Sequence, residues 1–264
     1  LSFHSYLPKN LSPIISEKLV SHWVKMLSKN PELHDKVEFD VAITAFSFDI
    51  DNKIDQLIGT VLNNDEKLEF KESHLNQTRT LMLGNCEGSI ALAMQKVNKL
   101  SQIQNNEMGN NDISSIFEML NNCINLGTVP FSILARHGFI AKIILESLES
   151  KGILSNQEIN EIQSNVETVA SELVVDMNLM QSGELDNKIF MKKYGHLRPG
   201  TYDIMSNRYD QMTNFSMDGD SNYKNNKKET KLKLSKIKRT NIDQLLKQNG
   251  FDDFTTDNLF DYIN

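Results

Sequence analysis

Cysteine is nearly absent from this chain: Cys86 and Cys123 are its two copies among 264 residues. They fit no metal-ligand spacing and read as reduced, part-buried thiols of a cytosolic protein. Histidine is sparse and scattered, with no HxxxH or HExxH pattern, which argues against a zinc site, so no metal ligands are assigned. No apolar run approaches the ~20 residues of a membrane span, and no signal peptide opens the chain. Excess positive charge is missing as well. A net charge of −7 argues against general nucleic-acid binding. Arginine is scarce, with five copies in a chain that builds most of its positive charge from lysine.

What is present fits a globular protein. The chain is long enough to bury a real core in one or two domains. An apolar content of 39% and a mean hydropathy of −0.41 leave room for polar segments that need not pack. The chain starts at Leu1 and stops at Asn264, shortly after a helix expected to begin near Thr256. Both ends read as cut, so we expect a piece of a larger protein.

The periodicities predict a mainly α-helical fold of about eight to ten helices, with a short β element near the N-terminus. Residues 1–7 alternate weakly. Val37, Phe39, Val41, Ile43 and Ala45 alternate with polar or small residues, the strongest strand signal in the chain. Ser12-Pro13 supplies an N-cap and a proline at the first helical position. Ile15, Leu19, Trp23, Met26 and Leu27 follow at helical spacing. Ile54, Leu57, Ile58, Val61 and Leu62 make a second helix. Leu68, Leu75, Leu81 and Leu83 mark a third, more polar one. Residues 89–103 and a stretch from Asp112 to Leu126 read as two further helices. Residues 131–150 are apolar on nearly all faces and should be central, interrupted by Arg136 and His137. Ser155 and Glu158 form a capping box that opens the longest expected helix, running to about Gln181. On it Thr168, Glu172 and Asp176 make a polar stripe. A shorter helix, residues 185–194, follows Gly183. The expected domains are a helical central domain over 1–210, a flexible linker over 211–230 and a small helical unit over 231–264. Lys224 to Arg239 carries eight basic residues against one glutamate, which reads as a solvated helix start, with a membrane or nucleic-acid patch and a partner-binding tail as alternatives.

The densest chemistry lies in Tyr194-Gly195-His196-Leu197-Arg198-Pro199-Gly200-Thr201-Tyr202-Asp203-Ile204, continued by Ser206, Arg208, Tyr209 and Asp210. Pro199-Gly200 is a turn signal. Two of the five arginines fall here, and planar guanidinium groups suit bidentate recognition of phosphate or carboxylate. The same residues also suit a fixed loop whose ion pairs hold two helices together.

This run resembles a signature of phosphoenolpyruvate-synthase-like phosphotransferases, in the branch found with surface-polysaccharide synthesis. Val129 to Ile140, Thr168 to Leu173, Ser2 to Pro8 and His34 to Phe39 resemble the family in the same order, while 52–127 matches only as a helical pattern. The resemblance implies a three-part machine. An ATP-grasp domain binds ATP and Mg2+, a swivelling domain carries a phosphorylated histidine, and a central region lies between them. This chain resembles the central region, with neither a glycine-rich phosphate loop nor a mobile phosphohistidine motif. The implied acceptor is a small molecule, in the sharpest version the side-chain amide of L-glutamine for capsule phosphoramidate. The implied setting is cytoplasmic, without membrane or nucleic-acid partners.

The resemblance also implies roles. Arg198 and Arg208 would clamp phosphate or the acceptor's carboxylate. His196 would bind the acceptor or help deprotonate it. Asp203 would orient an arginine or hold an ammonium group, and Tyr202 would add a hydrogen bond. Arg136, Thr168 and Glu172 would line a second wall. His196 is not expected to be the phosphorylated histidine, which belongs to the separate swivelling domain. The rival expectation is a non-catalytic helical scaffold that spaces the catalytic domains.

Overall fold

Helix signals in the sequence are met by helices nearly everywhere. The computed structural model describes residues 3–84, 86–106, 113–164, 166, 169–198, 203, 205–212 and 234–264. Among these the fold is mainly α, and no strand occurs. Contacts group the chain into two compact units, Leu1–Ile159 with Leu234–Asn264, and Asn160–Lys233.

In the first unit, α1 (Pro13–Lys29) starts as expected with Ser12 at the N-cap and Pro13 behind it. It buries Ile15, Leu19 and Trp23, four residues apart each time and so on one face. α2 (Ile50–Ile58) buries Ile50, Ile54 and Ile58 by the same rule. α3 (Asn64–Leu83) opens on a reciprocal capping box between Asn63 and Glu66. It closes on Gly84, whose φ of 70° is the left-handed conformation that glycine adopts at little cost. Its inward face is not the one its leucines mark. Leu68 and Leu83 are exposed, whereas Phe70, Ser73, His74, Thr78 and Met82 are buried. The face that packs is half polar, so apolar spacing could not reveal it.

The expected β element is not formed. Phe3–Tyr6 is a 3-10 turn and Val37–Val41 a π-type turn. The alternation from Val37 onward gives way to burial on every side: residues 41–48 are all buried. Period two marks a strand only where one face meets solvent. Here the segment threads the core and its polar groups find other partners. The Phe46 amide donates to the buried Thr78 hydroxyl of α3 at 3.0 Å, and the Thr44 hydroxyl donates to the Glu38 carbonyl at 3.3 Å.

α4 (Ile90–Asn106), α5 (Ile113–Asn122) and α6 (Val129–Ser150) follow, with a π-helical joint, Cys123–Thr128, between the last two. The joint fuses them into one helical run, Ser115–Ser150, with a mean hydropathy of 1.3 over its best 18-residue window. One described helix is therefore long and apolar enough to cross a membrane by length and composition, with 33% of that window buried. Arg136, His137 and Lys142 interrupt its apolar residues in sequence without ending the helix. The C-terminal half of α6 is central, as its composition predicts, with Ile140, Ile143, Ile144, Leu145 and Leu148 buried. α10 (Lys236–Gln248) and α11 (Thr256–Ile263) complete this unit. Phe251 between them stacks 5.8 Å from Phe46 and 6.4 Å from Phe48 in tilted and edge-on geometry, and Arg79 donates to the Gly250 carbonyl at 3.1 Å.

α7 (Asn156–Ser164) begins at the predicted capping box: the Ser155 amide donates to Glu158 at 2.8 Å, and the Glu158 amide to the Ser155 hydroxyl at 3.3 Å. Lys238 of α10 donates to both Glu158 oxygens at 2.6 Å, and this bond chiefly holds the Glu158 carboxyl down at about 2. The single long helix expected from Ser155 to Gln181 is two helices. The second unit carries α8 (Val169–Gln181), ended at Gly183, and α9 (Asn187–Tyr194), capped by Asp186, whose carboxylate accepts from the Lys188 amide at 2.7 Å. Met177, Phe190, Tyr194 and Tyr209 form its small core, with Leu173, Met180 and Leu197 packed around them.

Candidate functional site

The residues singled out from the sequence fall in both units, and each set has its own geometry. In the second unit the loop after α9 is a closed clasp. The Tyr209 amide donates to the Leu197 carbonyl at 3.0 Å and the Asp210 amide to the Gly195 carbonyl at 3.1 Å. These two bonds tie the end of the loop to its beginning. Gly195 suits that closure, because a Cβ there would sit a tight 3.1 Å from the Asp210 Cβ. Tyr209 is the anchor, buried against Phe190 and Tyr194.

Most polar side chains of the clasp are engaged within it. Arg208 grips Asp210 with two parallel bonds of 3.0 and 2.8 Å, the fork-to-fork geometry of a guanidinium on a carboxylate. Asp203 accepts from the Met205 amide at 2.8 Å and so holds its own turn; no arginine contacts it among the described residues. Arg198 donates its Nε to the Ser206 carbonyl at 3.0 Å. Its two terminal nitrogens have no partner among the described residues. His196, two residues before it, is exposed and likewise has no partner among them. Tyr202, Thr168 and the Pro199-Gly200 turn lie outside the described residues.

The acidic stripe of α8 is paired with α9. Lys193 reaches Glu172 at 2.6 Å and Asp176 at 2.9 Å, and the Tyr194 hydroxyl donates to Asp176 at 2.8 Å. The lysine bond is the main reason the Asp176 carboxyl lies below its usual range. Glu172 therefore helps fasten α8 to α9, a role that the missing count of basic partners on α8 itself could have signalled.

In the first unit Arg136 stands in a polar cluster that sequence reading found only in part. Its guanidinium donates to the Ser5 carbonyl and, at 3.3 Å, to Gln77 of α3. It has no carboxylate partner among the described residues. Burial pushes its pKa down, with Tyr6 opposing. Beside it His74 is fully buried, edge-on to Phe70 with ring centroids 4.4 Å apart, and neither ring nitrogen has a hydrogen-bond partner among the described residues. Burial first, and the charge of Arg136 second, hold the imidazole neutral with a pKa of about 3. His137 is a fixture of packing. One ring nitrogen lies 2.8 Å from the Gly88 carbonyl and the other 2.7 Å from the Tyr262 hydroxyl. The carbonyl can only accept, so Nε2 carries the proton and Nδ1 accepts from the phenol. Nothing in the spacing points to His74, because the buried face of α3 is half polar.

The open concavity of about 410 Å³ on α4, lined by Glu87, Leu92, Gln95, Lys96 and Lys99, contains none of these residues. It is a groove along an exposed helix face, whereas the polar side chains converge at the clasp. No protein-family model, no curated protein and no solved structure matches the chain.

Proposed function

We propose that this chain is the acceptor-binding central domain of a cytoplasmic, ATP-dependent, phosphoenolpyruvate-synthase-like phosphotransferase, with L-glutamine as the sharpest choice of acceptor. One observation carries the reading: His196 and the terminal nitrogens of Arg198 stand without described partners on a loop in which Asp203, Ser206, Arg208 and Asp210 are engaged. A guanidinium held at one nitrogen and open at the other two is pre-oriented to meet an anion. On this reading Arg198 receives the phosphoryl group or the acceptor's carboxylate, and stabilises charge as it develops in transfer. His196 binds the acceptor and takes the proton that the nucleophile loses. Arg208 and Asp203 shape the loop, and Glu172 and Tyr202 complete the acceptor's surroundings. ATP and Mg2+ belong to an ATP-grasp domain and the phosphorylated histidine to a swivelling domain, both of the same polypeptide.

A second reading has its own support. The bidentate Arg208–Asp210 pair and the Arg198–Ser206 bond are what a structural clasp needs. The chain would then be a non-catalytic helical scaffold between catalytic domains. Arg198→Ala in the full-length enzyme separates the two. The phosphotransferase reading expects transfer to be abolished with helix content and thermal midpoint retained; full activity in a folded variant removes Arg198 from the site.

A further inference from the structure

Three segments far apart in sequence bring hydrogen-bond donors together in the first unit. The turn Phe3–Tyr6 supplies the Ser5 carbonyl, α3 supplies His74 and Gln77, and α6 supplies Arg136. His74 and Gln77 are three residues apart on α3 and so share a face. Arg136 ties the segments to one another. One terminal nitrogen donates to the Ser5 carbonyl, and the other, at 3.3 Å, to the Gln77 side-chain oxygen.

More donors are present than these bonds use. A guanidinium carries five N–H groups, and two are engaged here, which leaves three without a partner among the described residues. Arginine can only donate, so Gln77 accepts through its oxygen and keeps its NH2 as a further donor. The neutral His74 ring adds one N–H. It is fully buried, neither nitrogen has a partner among the described residues, and the Arg136 charge is near enough to act on it. A buried polar group without a partner costs free energy, and so does a half-buried cation without a counter-charge. Bulk solvent would serve Arg136 alone, because His74 is 0% exposed.

Charge and geometry select the ligand. Glu38 bears on Tyr6, and no acidic side chain among the described residues figures in what acts on Arg136. The cluster thus offers one positive charge and a surplus of donors, which suits a monoanion. A carboxylate presents two oxygens that match the guanidinium fork and about four acceptor sites in all, enough to take Arg136 and the His74 N–H together. A spherical halide lacks that match, and a phosphate dianion brings more charge than one arginine balances. Full burial of the imidazole also limits the bound group to a few atoms. We propose that Arg136 and His74 hold the carboxylate of a small molecule, at a site of the first unit that is distinct from the clasp.

The test is an acetate titration of the 264-residue chain labelled with 15N at histidine, followed through the imidazole resonances, with chloride at equal concentration as the comparison. The His74 signal is assigned by its disappearance in His74→Phe. Acetate is expected to shift that signal saturably and chloride to leave it in place, while His34, exposed beside Asp35, stays unmoved by either. His196 carries its own signal, so binding at the clasp is read separately. Arg136→Gln should raise the acetate dissociation constant on the order of tenfold or more, since the charged fork is lost. Circular dichroism checks that this variant folds; Arg136→Lys, which keeps the charge without the fork, takes its place if it does not and should also bind more weakly. No saturable shift at His74, an equal shift with chloride, or an affinity for acetate unchanged in the folded Arg136 variant would overturn the proposal.

Discussion

Arg136 and Arg208 carry the same guanidinium and are held in opposite ways. Arg208 is engaged locally, by a carboxylate two residues along the chain and near solvent. Arg136 is half-buried and engaged by a backbone carbonyl and an amide oxygen from segments far away in sequence, with a neutral imidazole beside it. The first arrangement costs little to build and little to lose. The second removes a charge from water without an opposing charge, which is tolerated only where hydrogen bonds compensate. A cluster of charges in sequence is thus a poor guide to where electrostatic stakes are high. Arg198 stands between the two, fixed at one nitrogen and open at the others.

The largest effect that can sharpen this contrast is acid lability centred on His74. Its folded pKa of about 3 lies below the ordinary value of 6.5, so the unfolded chain binds the proton first as pH falls. Stability from this group is complete above pH 6.5 and drains at about 1.4 kcal/mol per pH unit toward the folded pKa. Denaturant melts of wild type and His74→Phe between pH 7 and 4 should therefore diverge, with the variant losing less; parallel curves would show that the imidazole is not held neutral. Next in size is Arg136→Ala. Loss of its two bonds should destabilise the protein by about 2–3 kcal/mol, and the removed charge should also ease protonation of His74, flattening the acid limb. Tyr194→Phe removes one hydrogen bond to Asp176 and should cost about 1 kcal/mol by chemical denaturation. Arg208→Ala should be smallest, at most about 0.5–1 kcal/mol, because a solvent-exposed pair contributes little. An Arg208 effect equal to that of Arg136 would abolish the distinction.

The sequence made the helix ends legible because caps are local chemistry. Pro13 at the first helical position, Ser155 with Glu158, and Gly183 all act where they were expected. What depended on tertiary context was lost. The alternation at Val37–Ala45 imitates a strand, but from Val41 onward the segment is buried on all sides, and no strand occurs among the described residues for it to join. The packed face of α3 was hidden because Ser73, His74 and Thr78 look like surface residues until Thr78 is seen to satisfy the Phe46 amide. In the candidate site, crowding of polar residues after Tyr194 was visible, whereas their pairing was not. Arg208 with Asp210, and Glu172 with Lys193, are geometric facts that spacing leaves open.

The central claim is that the clasp presents Arg198 and His196 to a small acceptor. Its most direct test is a calorimetric and thermal-shift titration of this chain with L-glutamine, pyruvate and inorganic phosphate, repeated on Arg198→Ala. Saturable binding of one of these, with a raised melting temperature and loss of both effects in the folded variant, is the predicted result. Binding that survives Arg198→Ala unchanged, or no binding of any of the three by a folded chain, would contradict it and leave the clasp as a structural element of a scaffold.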